Sequence, residues 1–170
     1  MKYRGLIFDD MKEIREMLWK LFDKRGYEVF TFPDPALCPL SEMEVCPCSS
    51  EETCADVILS DVNMPIKRGI DFLEDQIKKG CRCKHFGLMS GEFSSEDVSK
   101  AKSLGIKLFK KPFKLKEVIT WLDQIEKDAD QKRKVSDWFL KRNQQILEEY
   151  KIIPGGNKKG RSRSTKIKSD

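Results

Sequence analysis

The chain has 170 residues, 36% charged and 39% hydrophobic, with a formal net charge of +5. That length suits one core of ordinary size, and no apolar run approaches the roughly 20 residues of a membrane span. The start, Met1-Lys2-Tyr3-Arg4, enters an apolar stretch directly and has no signal-peptide pattern, so a cytoplasmic protein is expected.

The first strand is expected near 4–8, where Gly5-Leu6-Ile7-Phe8 closes on Asp9-Asp10. A helix over about 11–24 follows, with Ile14, Met17, Leu18, Leu21 and Phe22 at helical spacing and Gly26 as its stop. A second strand fits 27–32. Residues 33–55 then break the alternation with Pro33, Pro35, Pro39 and Pro47, and with Cys38, Cys46, Cys48 and Cys54. Proline interrupts helices and restricts the residue before it. This segment is expected to be mostly irregular, with at most a short helical turn.

The third strand, near 56–60, runs Val57-Ile58-Leu59-Ser60 into Asp61. The helix after Gly69 turns Ile70, Phe72, Leu73 and Ile77 inward. A fourth strand near 85–89 ends on Ser90-Gly91, and Ser94-Ser95-Glu96-Asp97 caps a helix that stops near Gly105. The fifth strand, near 106–110, ends on Lys111-Pro112, and the next helix carries Leu115, Val118, Ile119, Leu122 and Ile125. Alternation of this kind implies a parallel sheet covered by helices on both faces. There is no internal repeat.

Ligands gather at the carboxyl ends of strands in such sheets. Asp9, Asp10, Asp61, Ser90 and Lys111 would therefore converge on one small site. Three close carboxylates repel one another, and a divalent cation removes the conflict. Magnesium prefers oxygen ligands and leaves positions for water or phosphate oxygens. Lysine suits a phosphoryl oxygen, a serine hydroxyl can donate to another, and an aspartate can form an acyl phosphate.

These pieces resemble the receiver domain of two-component response regulators. The motifs are Phe8-Asp9-Asp10, Leu59-Ser60-Asp61-Val62-Asn63-Met64-Pro65 with Gly69, Met89-Ser90-Gly91, and Lys111-Pro112-Phe113. Their order and separations are family-like across residues 1–126. The resemblance implies a flavodoxin-like, doubly wound α/β fold with five parallel strands in the order 2-1-3-4-5, to which residues beyond 126 add an extra C-terminal helix. It implies Asp61 as the phosphorylated aspartate, Ser90 as the switching hydroxyl and Lys111 as its lysine partner. Magnesium would be held by Asp10, by Asp9 through water, by Asp61 and by the Asn63 carbonyl. Asn63 and Glu92 fall at positions that set the lifetime of the acyl phosphate, so self-dephosphorylation is expected. The family often has an aromatic switch residue three before the lysine. Here that residue is Leu108, and the aromatic is Phe109.

The cysteines raise a separate question. Cys54 precedes the third strand, and Cys81 and Cys83 precede the fourth. Cys46 or Cys48 could join them at the sheet end opposite Asp61, and four thiolates would suit zinc. Against this, a C-x-C pair lacks the more usual two-residue zinc spacing. Scattered reduced cysteines are ordinary in a cytosolic chain, and that reading comes first.

Residues 1–126 hold 20 Lys+Arg and 22 Asp+Glu, whereas 127–170 hold 13 and 6, so the positive balance sits at the carboxyl end. Val135, Trp138, Phe139, Arg142, Ile146 and Tyr150 mark an amphipathic helix over about 127–150. It could extend the preceding helix, pair two chains as a homodimer, or pack back and cover Trp138 and Phe139. Residues 151–170 read as a disordered basic tail able to attract nucleic acid.

The expected function is a non-enzymatic phosphoacceptor. A histidine kinase or phosphotransfer protein would supply the phosphoryl group, and a downstream protein would read it. The expected output surface is 94–125, with the terminal helix continuing from it. The alternative is a nucleic-acid-binding transcriptional regulator. A phosphoaspartyl hydrolase is disfavoured, because Asp9-Asp10-Met11 is not the aspartate-x-aspartate loop that chemistry uses.

Overall fold

The structure is a computed structural model that describes residues 2–129 and 132–149, with the backbones of 153–154 and 165–166. Its centre is a five-stranded sheet of β1 (Arg4–Phe8), β2 (Glu28–Phe32), β4 (Val57–Asp61), β5 (His85–Ser90) and β6 (Lys107–Lys110). All neighbours are parallel, in the order β2-β1-β4-β5-β6. This is the expected 2-1-3-4-5 order. The labels shift because a two-residue strand, β3 (Glu52–Thr53), precedes β4.

Both sheet faces are buried, and strand alternation sorts the side chains between them. Ile7, Val57, Leu59, Met89 and Phe109 face α1 (Lys12–Lys24) and α4 (Leu115–Asp128), which contribute Leu18, Phe22, Val118, Leu122 and Ile125. Leu6, Phe8, Ile58, Phe86 and Leu88 face the other way, onto Ile70, Phe72 and Leu73 of α2 (Gly69–Lys78) and Ala101 of α3 (Ser95–Leu104). At Gly87, an added Cβ would lie 2.8 Å from Leu59 and 2.9 Å from Trp121, so α4 sits close over β5.

The proline-rich segment forms two 3-10 turns, Pro35–Leu37 and Pro39–Glu42. Asp34 caps the first by accepting from the Ala36 N–H at 2.9 Å. The space over the β2 edge is filled instead by α5 (Asp137–Glu149). Phe139 of α5 is fully buried, and its ring stands edge-on to Phe30 of β2 at 5.1 Å.

That position corrects one expectation. The terminal helix does not continue from the α3–β6–α4 surface but joins the opposite sheet face from α4. The cause lies in the crossover. β7 (Lys134–Val135) pairs parallel with β3, through Lys134 N–H to the Glu51 carbonyl at 2.9 Å and Ser136 N–H to the Thr53 carbonyl at 2.8 Å. This carries the chain across the amino ends of the sheet before α5 begins.

Arg4 locks the crossover and is only 2% exposed. Its guanidinium donates to the Ser136 carbonyl at 2.8 Å, the Cys54 carbonyl at 3.1 Å and Glu28 at 2.8 Å. It also lies 5.4 Å from the Phe139 ring centroid. A buried cation is tolerable when it is paired and fully hydrogen-bonded, as this one is. Its own N–H donates to Asp56, which also pairs with Arg133.

Ile153–Pro154 pairs antiparallel with Thr165–Lys166. The expected disorder of the basic tail otherwise concerns residues outside those described. Among the described residues, no helix is long and apolar enough to cross a membrane.

Candidate phosphoacceptor site

The sheet register sets the site. Phe8 is level with Ser60, Asp61 with Met89, and Ser90 with Lys110. Asp9, Asp61, Ser90 and Lys111 therefore leave four adjacent strands within two residues of the same level. Asp9 is fully buried and Asp61 is nearly so, while Asp10 is exposed. Lys111 Nζ joins the set, at 2.7 Å from Asp9 Oδ2 and 2.7 Å from Asp61 Oδ1. The Lys111-Pro112 peptide bond is cis. Lys110, one residue earlier, is exposed.

Backbone donors hold the remaining carboxylate oxygens. Met11 N–H donates to Asp9 Oδ1 at 2.9 Å, and Asn63 N–H donates to Asp61 Oδ2 at 3.0 Å. Burial pushes the Asp9 carboxyl pKa above its ordinary value, and the Lys111 hydrogen bond only partly opposes it. Burial works against the Lys111 ammonium as well, yet hydrogen bonds to Asp61 and Asp9 carry its pKa upward. The lysine thus supplies the positive charge that lets buried carboxylates coexist.

Ser90 is buried, and its hydroxyl is engaged within its own loop. It donates to the Glu92 carbonyl at 2.6 Å and accepts from the Glu92 N–H at 3.2 Å. Phe109 is buried against Trp121 at 5.3 Å and Phe113 at 6.1 Å, on the α1–α4 side. Leu108 packs on the opposite face. Phe109 therefore does not stand in for an aromatic at position 108, as alternation requires.

Three supporting residues escaped the sequence reading. Arg15, on α1, donates to the carbonyls of Asp9 at 2.8 Å and Asp10 at 3.1 Å, and so fixes the acidic turn. Burial lowers its pKa. Asp34 accepts from Ile66 N–H at 2.7 Å and Lys67 N–H at 3.3 Å, anchoring the loop after Asp61 from the 3-10 segment. Arg68 pairs with Asp97 at 3.1 Å and ties that loop to α3. Only an arginine on the first turn of α1, and an aspartate at a turn start, hinted at the first two.

Gly69 is required by close approach. Its N–H donates to the Val62 carbonyl at 2.9 Å, and an added Cβ would fall 1.9 Å from the Asp61 carbonyl oxygen. No side chain fits there without moving the Asp61 backbone.

The proposed cysteine ligands lie at the other end of the sheet. Cys46, Cys48 and Cys54 have sulfur atoms all within 4.8 Å of one another. Cys81 interacts with Cys46. Cys83 is not in the three-sulfur group, and its thiol lies 3.6 Å from the His85 carbonyl.

A parallel sheet of this order, with an acidic pair, an aspartate, a hydroxyl and a lysine at its carboxyl end, defines a chemotaxis-receiver-like α/β domain. Known structures agree. The Vibrio cholerae chemotaxis protein CheY4 superposes with a TM-score of 0.57 at 26% identity, over 74% of this chain and 99% of that one. The Francisella response regulator 1452 receiver domain gives 0.61 at 24%, over 75% and 99%. A response regulator receiver protein from Pseudoalteromonas atlantica gives 0.61 at 18%, over 75% and 99%. No protein-family profile and no curated protein matches the chain. In fold the chain is similar to response-regulator receiver domains, an architecture of signalling domains rather than of conventional enzymes.

Proposed function

We propose that this protein is a phosphoacceptor in a two-component relay and that Asp61 carries the phosphoryl group. The observation that carries the reading is Lys111 Nζ, held 2.7 Å from both Asp61 and the buried Asp9 at the carboxyl end of a parallel sheet. A carboxylate oxygen of Asp61 attacks phosphorus. The new acyl phosphate P–O bond forms as the P–N bond of a phosphohistidine breaks, and its electron pair leaves with the imidazole. Asn63 N–H holds one Asp61 oxygen and so orients the other. Lys111 then shifts its contact from the carboxylate to a phosphoryl oxygen. Ser90 must release the Glu92 carbonyl before its hydroxyl can donate to the phosphoryl group, which would rearrange the loop that enters α3. Both contacts exist only in the phosphorylated state, which is the differential interaction a population shift needs.

The donor set fits magnesium. Asp9, Asp10, Asp61 and the Asn63 carbonyl offer only hard oxygen ligands, and exposed Asp10 faces solvent at the rim. When bound, the ion offsets phosphoryl charge during transfer. The kinase or phosphotransfer donor and the downstream target are proteins in this reading. Hydrolysis of the acyl phosphate, aided by polar Asn63 and Glu92, ends the signal. The chain would act in the cytoplasm.

The test uses acetyl phosphate with magnesium and reads intact mass. Wild-type protein should gain one phosphoryl group, and chelation should prevent it. Asp61→Asn should remain folded and unmodified. Full modification of that variant would remove Asp61 from the role.

A further inference from the structure

The residues around the amino ends of the sheet form a second chemical centre, unrelated to the phosphoacceptor site. We propose that Cys46, Cys48, Cys54 and Cys81 form a closed tetrathiolate site for zinc. The site would clip the helix-free segment to the rest of the domain.

Geometry comes first. Three sulfurs lie within 4.8 Å of one another, and those of Cys48 and Cys54 are 2.7 Å apart. A zinc ion with bonds of about 2.3 Å sets tetrahedral sulfur–sulfur edges of roughly 3.8 Å, so the three thiols need only part slightly around it. Cys81 lies outside that triangle, against Cys46, and would supply the fourth vertex. The segment carrying Cys46 is already tied to the Cys81 loop, since Cys46 N–H donates to the Lys79 carbonyl at 3.0 Å. Cys83 turns away to the His85 carbonyl, as alternation along an extended C-x-C requires. Cys38 is fully buried, outside the three-sulfur group, and interacts with the Leu40 backbone as well as with Cys81.

Two of the sulfurs have polar neighbours, while burial pushes the Cys81 thiol up to about 12. The Ser136 hydroxyl interacts with the Cys48 sulfur while its oxygen accepts from Trp138 N–H at 3.3 Å, which leaves its proton for the sulfur. The Cys83 backbone interacts with the Cys81 sulfur. Donors aimed at sulfur favour its anionic form and are the outer partners that orient metal ligands. Arg4 adds a cation on the Cys54 carbonyl. Soft thiolate ligands select zinc over magnesium, and four protein ligands leave no open coordination position, so the site is structural.

The fold supplies a reason for such a clip. Residues 33–55 hold two 3-10 turns and a two-residue strand where a helix would otherwise pack. That segment reaches the core through Pro35, Cys38, Pro39 and Leu40, but the stretch between Glu42 and Glu52 has no helix or strand to hold it. One metal would join it to the α2–β5 loop.

The test uses the full chain purified without chelator. Elemental analysis should give one zinc per chain. After the zinc is removed with a thiol reagent and chelator, cobalt alone should restore one equivalent of a tetrahedral tetrathiolate spectrum, which zinc then bleaches. Cys81→Ser should lose that spectrum, and Cys83→Ser and Cys38→Ser should keep it. A folded, metal-free protein whose six cysteines all titrate as thiols and give no cobalt band would overturn the proposal. So would a Cys48–Cys54 disulfide mapped in freshly prepared protein. Should Cys81→Ser fail to fold, the wild-type cobalt titration still decides. None of these readouts involves phosphorylation, so the outcome is independent of the function proposed for Asp61.

Discussion

Replacing Phe139 with alanine asks whether α5 belongs to the core. Its side chain is fully buried, edge-on to Phe30 at 5.1 Å and 5.4 Å from the Arg4 guanidinium. A buried Phe→Ala change costs about 3–5 kcal/mol through lost transfer energy and the cavity left behind. Loss of the aromatic pair belongs to the same deletion and accounts for about 1 kcal/mol of it. The expected destabilisation is therefore about 4 kcal/mol, a large share of the roughly 5–15 kcal/mol that holds a domain folded. With a urea slope of about 2 kcal/mol/M, the midpoint should fall by about 2 M. Circular dichroism in urea would measure it, with Trp138→Ala as a half-buried comparison expected to cost less. A loss under about 1 kcal/mol with an unchanged slope would mean that α5 does not pack over β2 in solution.

The remaining predictions follow from single contacts. Gly69→Ala should destabilise the protein by about 1–3 kcal/mol and slow phosphorylation by acetyl phosphate, because a Cβ would strike the Asp61 carbonyl; wild-type kinetics would refute the close-approach argument. Lys111→Ala should still accept some phosphoryl group, but hydrogen exchange in 90–125 should no longer respond to it. The acyl phosphate should survive seconds to minutes at neutral pH, judged by its decay after donor removal, and survival overnight would refute the roles given to Asn63 and Glu92. His85, the chain's single histidine, has its pKa lowered from 6.5, chiefly by burial. The unfolded chain then takes up the proton first, so stability is fully present above about 6.5 and drains as pH falls toward the folded value. His85→Gln should flatten that part of the urea midpoint profile, and an unchanged slope would show that His85 does not titrate differently on folding.

The sheet was legible because four of its five strands end in a polar signature. Val57–Ser60 before Asp61 and Phe86–Met89 before Ser90 could be nothing but short strands bounded by functional residues. What escaped was placement by distant partners. Arg4 reads as a surface charge before a strand, yet it is buried because Ser136, far along the chain, supplies a carbonyl. Asp34 reads as a turn residue, yet it accepts from the loop after Asp61. The destination of α5 was hidden for a related reason. Its apolar stripe says that it packs, but only the two residues of β7 on β3 say where. Choosing Cys81 over Cys83 also needs the direction each side chain takes, which spacing alone leaves open.

These placements bear on how a signal could leave the domain. In the proposed function, Ser90 and Lys111 pull on the loop before α3 and on the end of β6, both remote from β2. The α5 helix sits over β2, held by Phe139, by the β3–β7 ladder and by the Arg4 network. Its contacts are those of a missing helix restored from the carboxyl end of the chain. A change in the Ser90 loop would have to cross α2 and the 3-10 turns to reach it, and Asp34 is the one described residue whose side chain joins those turns to the Asp61 loop. If α5 responds to phosphorylation at all, the response should pass through Asp34. Asp34→Asn keeps the turn-capping oxygen but weakens the charge-assisted contacts to Ile66 and Lys67. It should therefore reduce any phosphorylation-dependent exchange change in 137–149 while leaving that in 90–125 intact. Equal loss in both regions would place Asp34 in the phosphoacceptor site itself rather than on a route out of it.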